Sequence, residues 1–370
     1  MTAALLTPFD IGPVTLKNRI VVAPMCQYSA TDGTMSDWHL MHLGSMAVSG
    51  AGLTVIEATG VTREGRISHG CTGLYTDDNE AAMKRVVDAF RRVSRNPVGV
   101  QLGHAGRKAS VQPPFEGGAP LGAHQSPWQT IAPSAIPFAD GWHTPAELDE
   151  AGIKALADAF AQAAVRARRA GLDAIEMHSA HGYLLHQFLS PHSNTRKDRY
   201  GGSLENRMRA PLEVAEALRA SWPKERCIGA RITASDWVEG GFGPEDAVAY
   251  AGKLRGIGFD YACVTSGGGV SHAKIQVGPG YQVPFAEQVK KGSGIATRAV
   301  GMIVDPEQAE EILASGKADM VALARGLLDN PRWVWHAAEK FGVKLDLPPQ
   351  YGRTRWDAWP GAALVRPKAA

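Results

Sequence analysis

Residues 174–183 read Ala174-Ile-Glu-Met-His178-Ser-Ala-His181-Gly-Tyr183. A short apolar run ends in a cluster of imidazoles and a phenol. Such a run, too short for a helix, predicts a buried parallel strand over Ala174–Met177 with its chemistry at the C-terminal end. Seven further runs rich in Val, Ile and Ala have the same character: Arg19–Ala23, Leu53–Ala58, Val98–Leu102, Ile228–Ile232, Tyr261–Thr265, Thr297–Val300 and Met320–Leu323.

Helical patterns separate these runs. Asp37 can cap a helix to about Ser49, with Gly50 as its stop, and Asp78–Ser94 carries apolar residues at helical spacing. Thr144-Pro-Ala-Glu147 has the form of a capping box opening a helix to Arg169. Ser203 can cap Leu204–Ser221, where Pro211 should kink or break the helix. Pro244–Leu254, Pro284–Lys291, Pro306–Ala314 and Pro331–Phe341 complete the set. Strand and helix alternating through eight units predict an α/β fold, a single (β/α)8 TIM barrel over residues 1–370. A loop insertion over 103–143 follows strand three, and a C-terminal tail occupies 342–370. An open doubly wound sheet is weaker, because no Gly-x-Gly-x-x-Gly follows the first strand.

The 370 residues carry 39 Lys and Arg against 37 Asp and Glu, a net charge of +2. That balance gives no electrostatic reason to expect a nucleic acid or an anionic membrane as partner. No apolar run reaches the roughly 18 residues of a membrane span. Met1–Asp10 has neither a basic nor an apolar region of a secretory signal, which points to the cytoplasm. Cys26, Cys71, Cys227 and Cys263 are far apart, which disfavours a zinc ribbon or an iron–sulfur cluster.

A barrel places its chemistry at the C-terminal strand ends. Those ends hold Pro24-Met25-Cys26, Ala58, Gln101, His178, Arg231, Ser266-Gly267, Gly301 and Ala324-Arg325. His178 and His181 can hold one oxygen atom, and Tyr183 can deliver a proton. The alternative is a metal-dependent hydrolase using the His-x-x-His pair, although no third ligand follows at metal-binding spacing. Arg231 needs an anion: either an internal carboxylate such as Glu57 or Glu176, or a cofactor that becomes anionic on reduction. Gly301 and Arg325, after strands seven and eight, suit a phosphate. Cys26 stands at the catalytic face, with Tyr28 two residues on.

Together these motifs resemble the old yellow enzyme family of FMN-dependent ene-reductases, in the bacterial, NADPH dehydrogenase- and xenobiotic reductase-like branch with a cysteine at the first strand end. The resemblance rests on Leu16-Lys-Asn-Arg-Ile20, Ala23-Pro-Met-Cys-Gln-Tyr28, Gln101-Leu-Gly-His-Ala-Gly-Arg-Lys108, His178–Tyr183 and Leu189–Arg207. It implies non-covalent FMN, reduced by NADPH or NADH, passing hydride from N5 to the β-carbon of an activated alkene. His178 and His181 would then hold the substrate's carbonyl or nitro oxygen, and Tyr183 would protonate the α-carbon. Pro24, Met25, Ala58 and Gln101 would line the flavin ring. Arg231 would face its N1/C2 edge, and Gly301, Ala324 and Arg325 would take the phosphate end. Cys26 would tune the flavin and touch substrate, and Tyr28 would bind it. Tyr351-Gly-Arg353 matches a tail motif that reaches a neighbouring subunit's site, which implies a homodimer or a dimer-based tetramer. Arg353, Trp356 and Trp359 are the tail's candidate substrate contacts.

Overall fold

The computed structural model describes residues 3–365. Met1, Thr2 and residues 366–370 of the tail lie outside the described residues. Eight strands close into a parallel barrel in chain order: β1 (Ile20–Val22), β2 (Leu53–Gly60), β3 (Val98–Gly103), β4 (Ala174–Ser179), β5 (Cys227–Thr233), β6 (Tyr261–Thr265), β7 (Ala296–Ala299) and β8 (Met320–Leu323). A hairpin of Phe9–Ile11 and Val14–Leu16 precedes the barrel. Every strand that the sequence predicts is present, with ends shifted by up to two residues.

Two packed regions follow from strand alternation. Side chains on the outer faces of the strands meet the helices: Ile56, Val100, Ile175 and Ile232 join Phe90, Phe160 and Leu218. Inside the barrel, Val21, Leu53, Val55, Ala174, Cys227, Tyr261 and Met320 form a second cluster. Above it the interior turns polar, because Glu176 and His178 share the inward parity of Ala174. Register sets the neighbours: Gln101 lies beside Glu176, and His178 beside Arg231.

Three local expectations need correction. Ser36, not Asp37, caps the helix Asp37–Ala47, accepting from the Trp38 N–H. Thr144–Glu147 opens no helix. Ala146–Glu147 pairs instead with Ile131–Ala132, and Asp149 caps Glu150–Arg169 by accepting from the Gly152 N–H at 2.7 Å. The box pattern is local, and the pairing partner lies fifteen residues away across the insertion. Pro211 does not end its helix, which runs from Leu204 to Ser221. Pro211 is buried with Val214, Ala215 and Leu218, so packing outweighs the one lost backbone hydrogen bond.

Candidate active site

The β4 end carries the centre of the site. His178 is buried, and its Nδ1 accepts from the Ala180 N–H at 3.3 Å. His181 (φ +59°) and Gly182 (φ +72°) then turn the chain through the left-handed region. Gly182 is required there twice over, since a Cβ would stand 2.0 Å from the Gly268 carbonyl oxygen. The Gly182 N–H donates to Nδ1 of His186 at 2.8 Å, and Nε2 of His186 lies 3.1 Å from Asp236. That buried pair pins the turn and sets Tyr183 at the start of the helix Leu184–Leu189. The rings converge edge to face: His178 is 5.2 Å from His181 and 4.9 Å from Tyr183, centre to centre. Nδ1 of His181 faces Nε2 of His178 at 3.4 Å.

Burial, reinforced by the Arg231 charge, drives both histidines well below the usual imidazole range. They are neutral at pH 7. Burial also pushes the Tyr183 hydroxyl well above the ordinary phenol range, so it keeps its proton. Lys108 adds a cation that the residue-by-residue reading missed. Its Nζ donates to the His181 and Gly268 carbonyls at 2.9 and 3.0 Å, and lies 5.4 Å from the Tyr183 ring centre. Burial, then the neighbouring Arg107 charge, lowers Lys108 to about 8.

Arg231 sits across from His178 on β5, and its Nε is buried without a hydrogen-bond partner. Neither suggested carboxylate pairs with it. Glu57 is 3.2 Å from Nε2 of His39 and accepts from the Gln27 N–H. Glu176 binds Arg298, the Tyr261 hydroxyl at 2.9 Å, and Nε2 of Gln101 at 2.7 Å. Arg231 therefore has no carboxylate partner among the described residues. Ala58 is the register neighbour of Gln101. Gly301 (φ +109°) follows β7, where a Cβ would lie 2.6 Å from Nε2 of Gln282. Ala324 precedes the short helix Arg325–Asp329, and Arg325 is exposed. Burial raises the Tyr281 hydroxyl above its usual range, and the charges of Arg325 and Arg231 partly offset that.

Pro24, Met25, Cys26 and Tyr28 form the half-buried rim after β1. Burial, with Cys71 and Glu57 nearby, raises the Cys26 thiol well above its usual range, so it is not a thiolate at neutral pH. Phe115, from the insertion, stands edge-on to Tyr28 with ring centres 6.1 Å apart. The tail is seated on its own chain. Tyr351 packs 5.6 Å from Trp335 and 4.8 Å from the Arg332 guanidinium, and Trp356 lines a cleft with Trp335 and Ala338. Tyr351 and Trp356 thus lie against the helix Trp333–Lys340.

Residues 4–342 match the model of the NADH:flavin oxidoreductase / NADH oxidase family. The chain belongs to that family and is of old yellow enzyme type. It is similar to the NADPH dehydrogenase of Geobacillus thermodenitrificans, 44% identical over 355 residues, spanning 95% of this chain and 99% of the relative. It is also similar to the NADPH dehydrogenase of Listeria innocua, 42% identical over 351 residues, spanning 94% and 98%. Among solved structures it resembles morphinone reductase, with 30% identity, a TM-score of 0.77, and coverage of 95% of this chain and 93% of that one. The old yellow enzyme-type chain is thus an FMN-dependent NAD(P)H oxidoreductase, and the hydrolase alternative is not favoured. The residues present fit FMN: Arg231, whose Nε is buried without a hydrogen-bond partner, would supply a cation to the ring, and Gln101, which donates from Nε2 to Glu176, would present its amide oxygen. Among the described residues, no group of three or more His, Cys, Asp or Glu is placed to hold a metal. No helix among them is long and apolar enough to cross a membrane.

Proposed function

We propose that this oxidoreductase reduces activated alkenes: α,β-unsaturated carbonyl or nitro compounds. The observation that carries the reading is the convergence of His178, His181 and Tyr183 beside Arg231. Bound, reduced FMN supplies a hydride equivalent to the β-carbon of such an alkene. Pro24, Met25, Ala58, Gln101 and Arg231 hold the ring, and Gly301, Ala324 and Arg325 hold the phosphate end. His178 and His181 hold the substrate oxygen and stabilise the negative charge that develops on it. Their neutrality suits that task, because a neutral N–H donates without surrendering its proton. Tyr183 gives its proton to the α-carbon, and its raised pKa keeps it loaded. Cys26 and Tyr28 shape the mouth of the pocket.

Either NADPH or NADH serves as reductant in this reading. The relatives' printed name, NADPH dehydrogenase, favours the first, and a morphinone reductase structure with tetrahydroNAD shows that a neighbour takes a nicotinamide. We further read residues 1–370 as one barrel domain, with its insertion and tail, that works as a homodimer or a dimer-based tetramer. A cytoplasmic setting agrees with four free cysteines. The test is anaerobic: enzyme reduced with one equivalent of NADPH, then mixed with cyclohexenone. Rapid return of the oxidised flavin spectrum with formation of cyclohexanone is expected. Reduced enzyme that oxygen reoxidises but cyclohexenone and nitroalkenes do not would sink the proposal.

A further inference from the structure

Asp236, in the loop after β5, is buried among three donors. Nε2 of His186 lies 3.1 Å from its Oδ1, and its Oδ2 accepts the Ser190 hydroxyl at 2.7 Å and the Phe242 N–H at 2.8 Å. Burial opposes the charge, but His186 and the other two donors outweigh it and hold Asp236 at about 2. Nδ1 of His186 accepts the Gly182 N–H at 2.8 Å and is therefore bare. The imidazole proton is left on Nε2, towards the carboxylate.

The side chains on either side of Gly182 are held differently. His181 has holds of its own. Its N–H donates to Oγ1 of Thr233 at 3.0 Å, its carbonyl accepts from Nζ of Lys108 at 2.9 Å, and its Nε2 lies 3.0 Å from Oγ1 of Thr265. The Tyr183 ring is placed by edge-on packing against His178 and His181 and by the backbone that carries it. That backbone is fastened at Gly182: the N–H to His186, and the carbonyl to Nε2 of Gln187 at 2.7 Å. The first of these fastenings continues to Asp236.

We propose that Asp236 and His186 are positioning residues for proton delivery: the carboxylate orients the imidazole, the imidazole holds the Gly182 N–H, and that amide aims Tyr183 at the α-carbon. The inference rests on the reading of Tyr183 as the acid of alkene reduction. A neutral amide does not suit the place of Asp236, because Asp236→Asn offers three donors one acceptor oxygen and one NH2 group. The oxygen stays with Ser190 and Phe242, where it keeps two hydrogen bonds rather than one. The NH2 group then faces His186 and drives the imidazole proton onto Nδ1, where it meets the Gly182 N–H. That hydrogen bond is lost, and Tyr183 shifts with the amide while His181 keeps its three holds.

Two substrates separate proton delivery from the rest of the site. Hydride arriving at the β-carbon of cyclohexenone leaves an enolate, a strong base that takes the Tyr183 proton on its α-carbon. The phenolate left behind regains a proton from water. The same hydride on nitrocyclohexene leaves a nitronate, whose charge spreads over two oxygens. It needs no acid in that step, and solvent protonates it after release.

The test follows reoxidation of reduced, FMN-loaded enzyme by stopped flow. Asp236→Asn should slow reaction with cyclohexenone by roughly tenfold to a hundredfold, the cost of a misaimed group, and leave nitrocyclohexene within about twofold of wild type. Asp236→Asn combined with Tyr183→Phe should be no slower than Tyr183→Phe alone, because the acid whose aim is lost is already gone. Hydrogen exchange should quicken at the Gly182 amide and stay unchanged at the His181 amide, which Thr233 holds. If Asp236→Asn fails to retain FMN, His186→Gln should give the same readings. Its amide reaches Asp236 from the place of Nε2 and leaves nothing at the place of Nδ1. Equal slowing of both alkenes, slowing of neither, or a further loss in the double variant overturns the proposal. A Tyr183→Phe enzyme as fast as wild type, or a reduced wild type that neither alkene reoxidises, overturns the underlying reading instead.

Discussion

Gln101 donates from Nε2 to Oε1 of Glu176 at 2.7 Å, inside the barrel and beneath the proposed flavin ring. Glu176 also neutralises the buried Arg298, so one carboxylate both orients the amide and balances a core cation. Glu176→Gln should destabilise the fold by about 3–5 kcal/mol, because it strands a buried guanidinium. The same variant frees the Gln101 amide to rotate and should weaken FMN binding. Urea denaturation and flavin titration of refolded apoprotein read the two effects separately. A variant as stable as the wild type would show that Arg298 has another counter-charge.

Arg231→Met should lower the reduction potential of bound FMN. Arg231 has no carboxylate partner among the described residues, and its Nε is buried without a partner. A loss of ~1.4 kcal/mol of charge stabilisation corresponds to about 30 mV for a two-electron couple. Redox titration with reference dyes decides it: an unchanged potential in a flavin-loaded variant would remove Arg231 from this role.

His178→Ala and His181→Ala should each slow reoxidation of reduced enzyme by cyclohexenone at least tenfold. Loss of one donor to a developing oxyanion costs roughly 3–4 kcal/mol in comparable sites, which sets the upper bound. Reduction by NADPH should suffer less, because it generates no oxyanion. Stopped-flow traces of the two half-reactions would expose the contrast, and two variants with wild-type reoxidation rates would refute the assignment.

Tyr183→Phe should lower the rate of alkene reduction by roughly a hundredfold, within the range of a lost general acid. Burial raises the Tyr183 hydroxyl well above the usual value near 10, so the acid form persists throughout the neutral and mildly basic range. The ratio of wild-type to variant rate should therefore stay constant from pH 6 to about pH 9.5. A ratio collapsing towards one by pH 9 would mean that a group of lower pKa delivers the proton.

Truncation after Pro349 removes Tyr351, which packs on Trp335 and Arg332. The shortened chain should shift towards monomer and alter KM for cyclohexenone, if the tail borders a partner's pocket. Sedimentation velocity and steady-state kinetics on the truncated enzyme test both points, and an intact dimer with unaltered KM would show that the tail does neither.

Much of this site can be read directly from the chain, because a barrel converts sequence position into spatial position. Each apolar run becomes a strand, and whatever follows it faces the same rim. His178, Arg231, Gln101 and Gly301 come from strands far apart in sequence, yet each could be named from its own strand end. Short runs of Val and Ile suffice for that, since a parallel strand buried on both faces must be apolar regardless of its partners.

Pairings across the barrel are another matter. Nothing local to Glu176 indicates whether it would meet Arg231 or Arg298; register and the depth of each layer decided for Arg298 and left Arg231 uncompensated. Thr265 lies one residue before the strand-end pair Ser266-Gly267, and only the approach of the His181 loop to β6 brings its hydroxyl within 3.0 Å of Nε2 of His181. Thr144–Glu147 matches a capping box, but the strand Ile131–Ala132 captured it. Sequence determined the elements and their order, because hydrophobic periodicity acts over a few residues. The tertiary structure decided which charge faces which, because buried electrostatic pairs form between strands and depend on ångström-scale distances that no local pattern encodes.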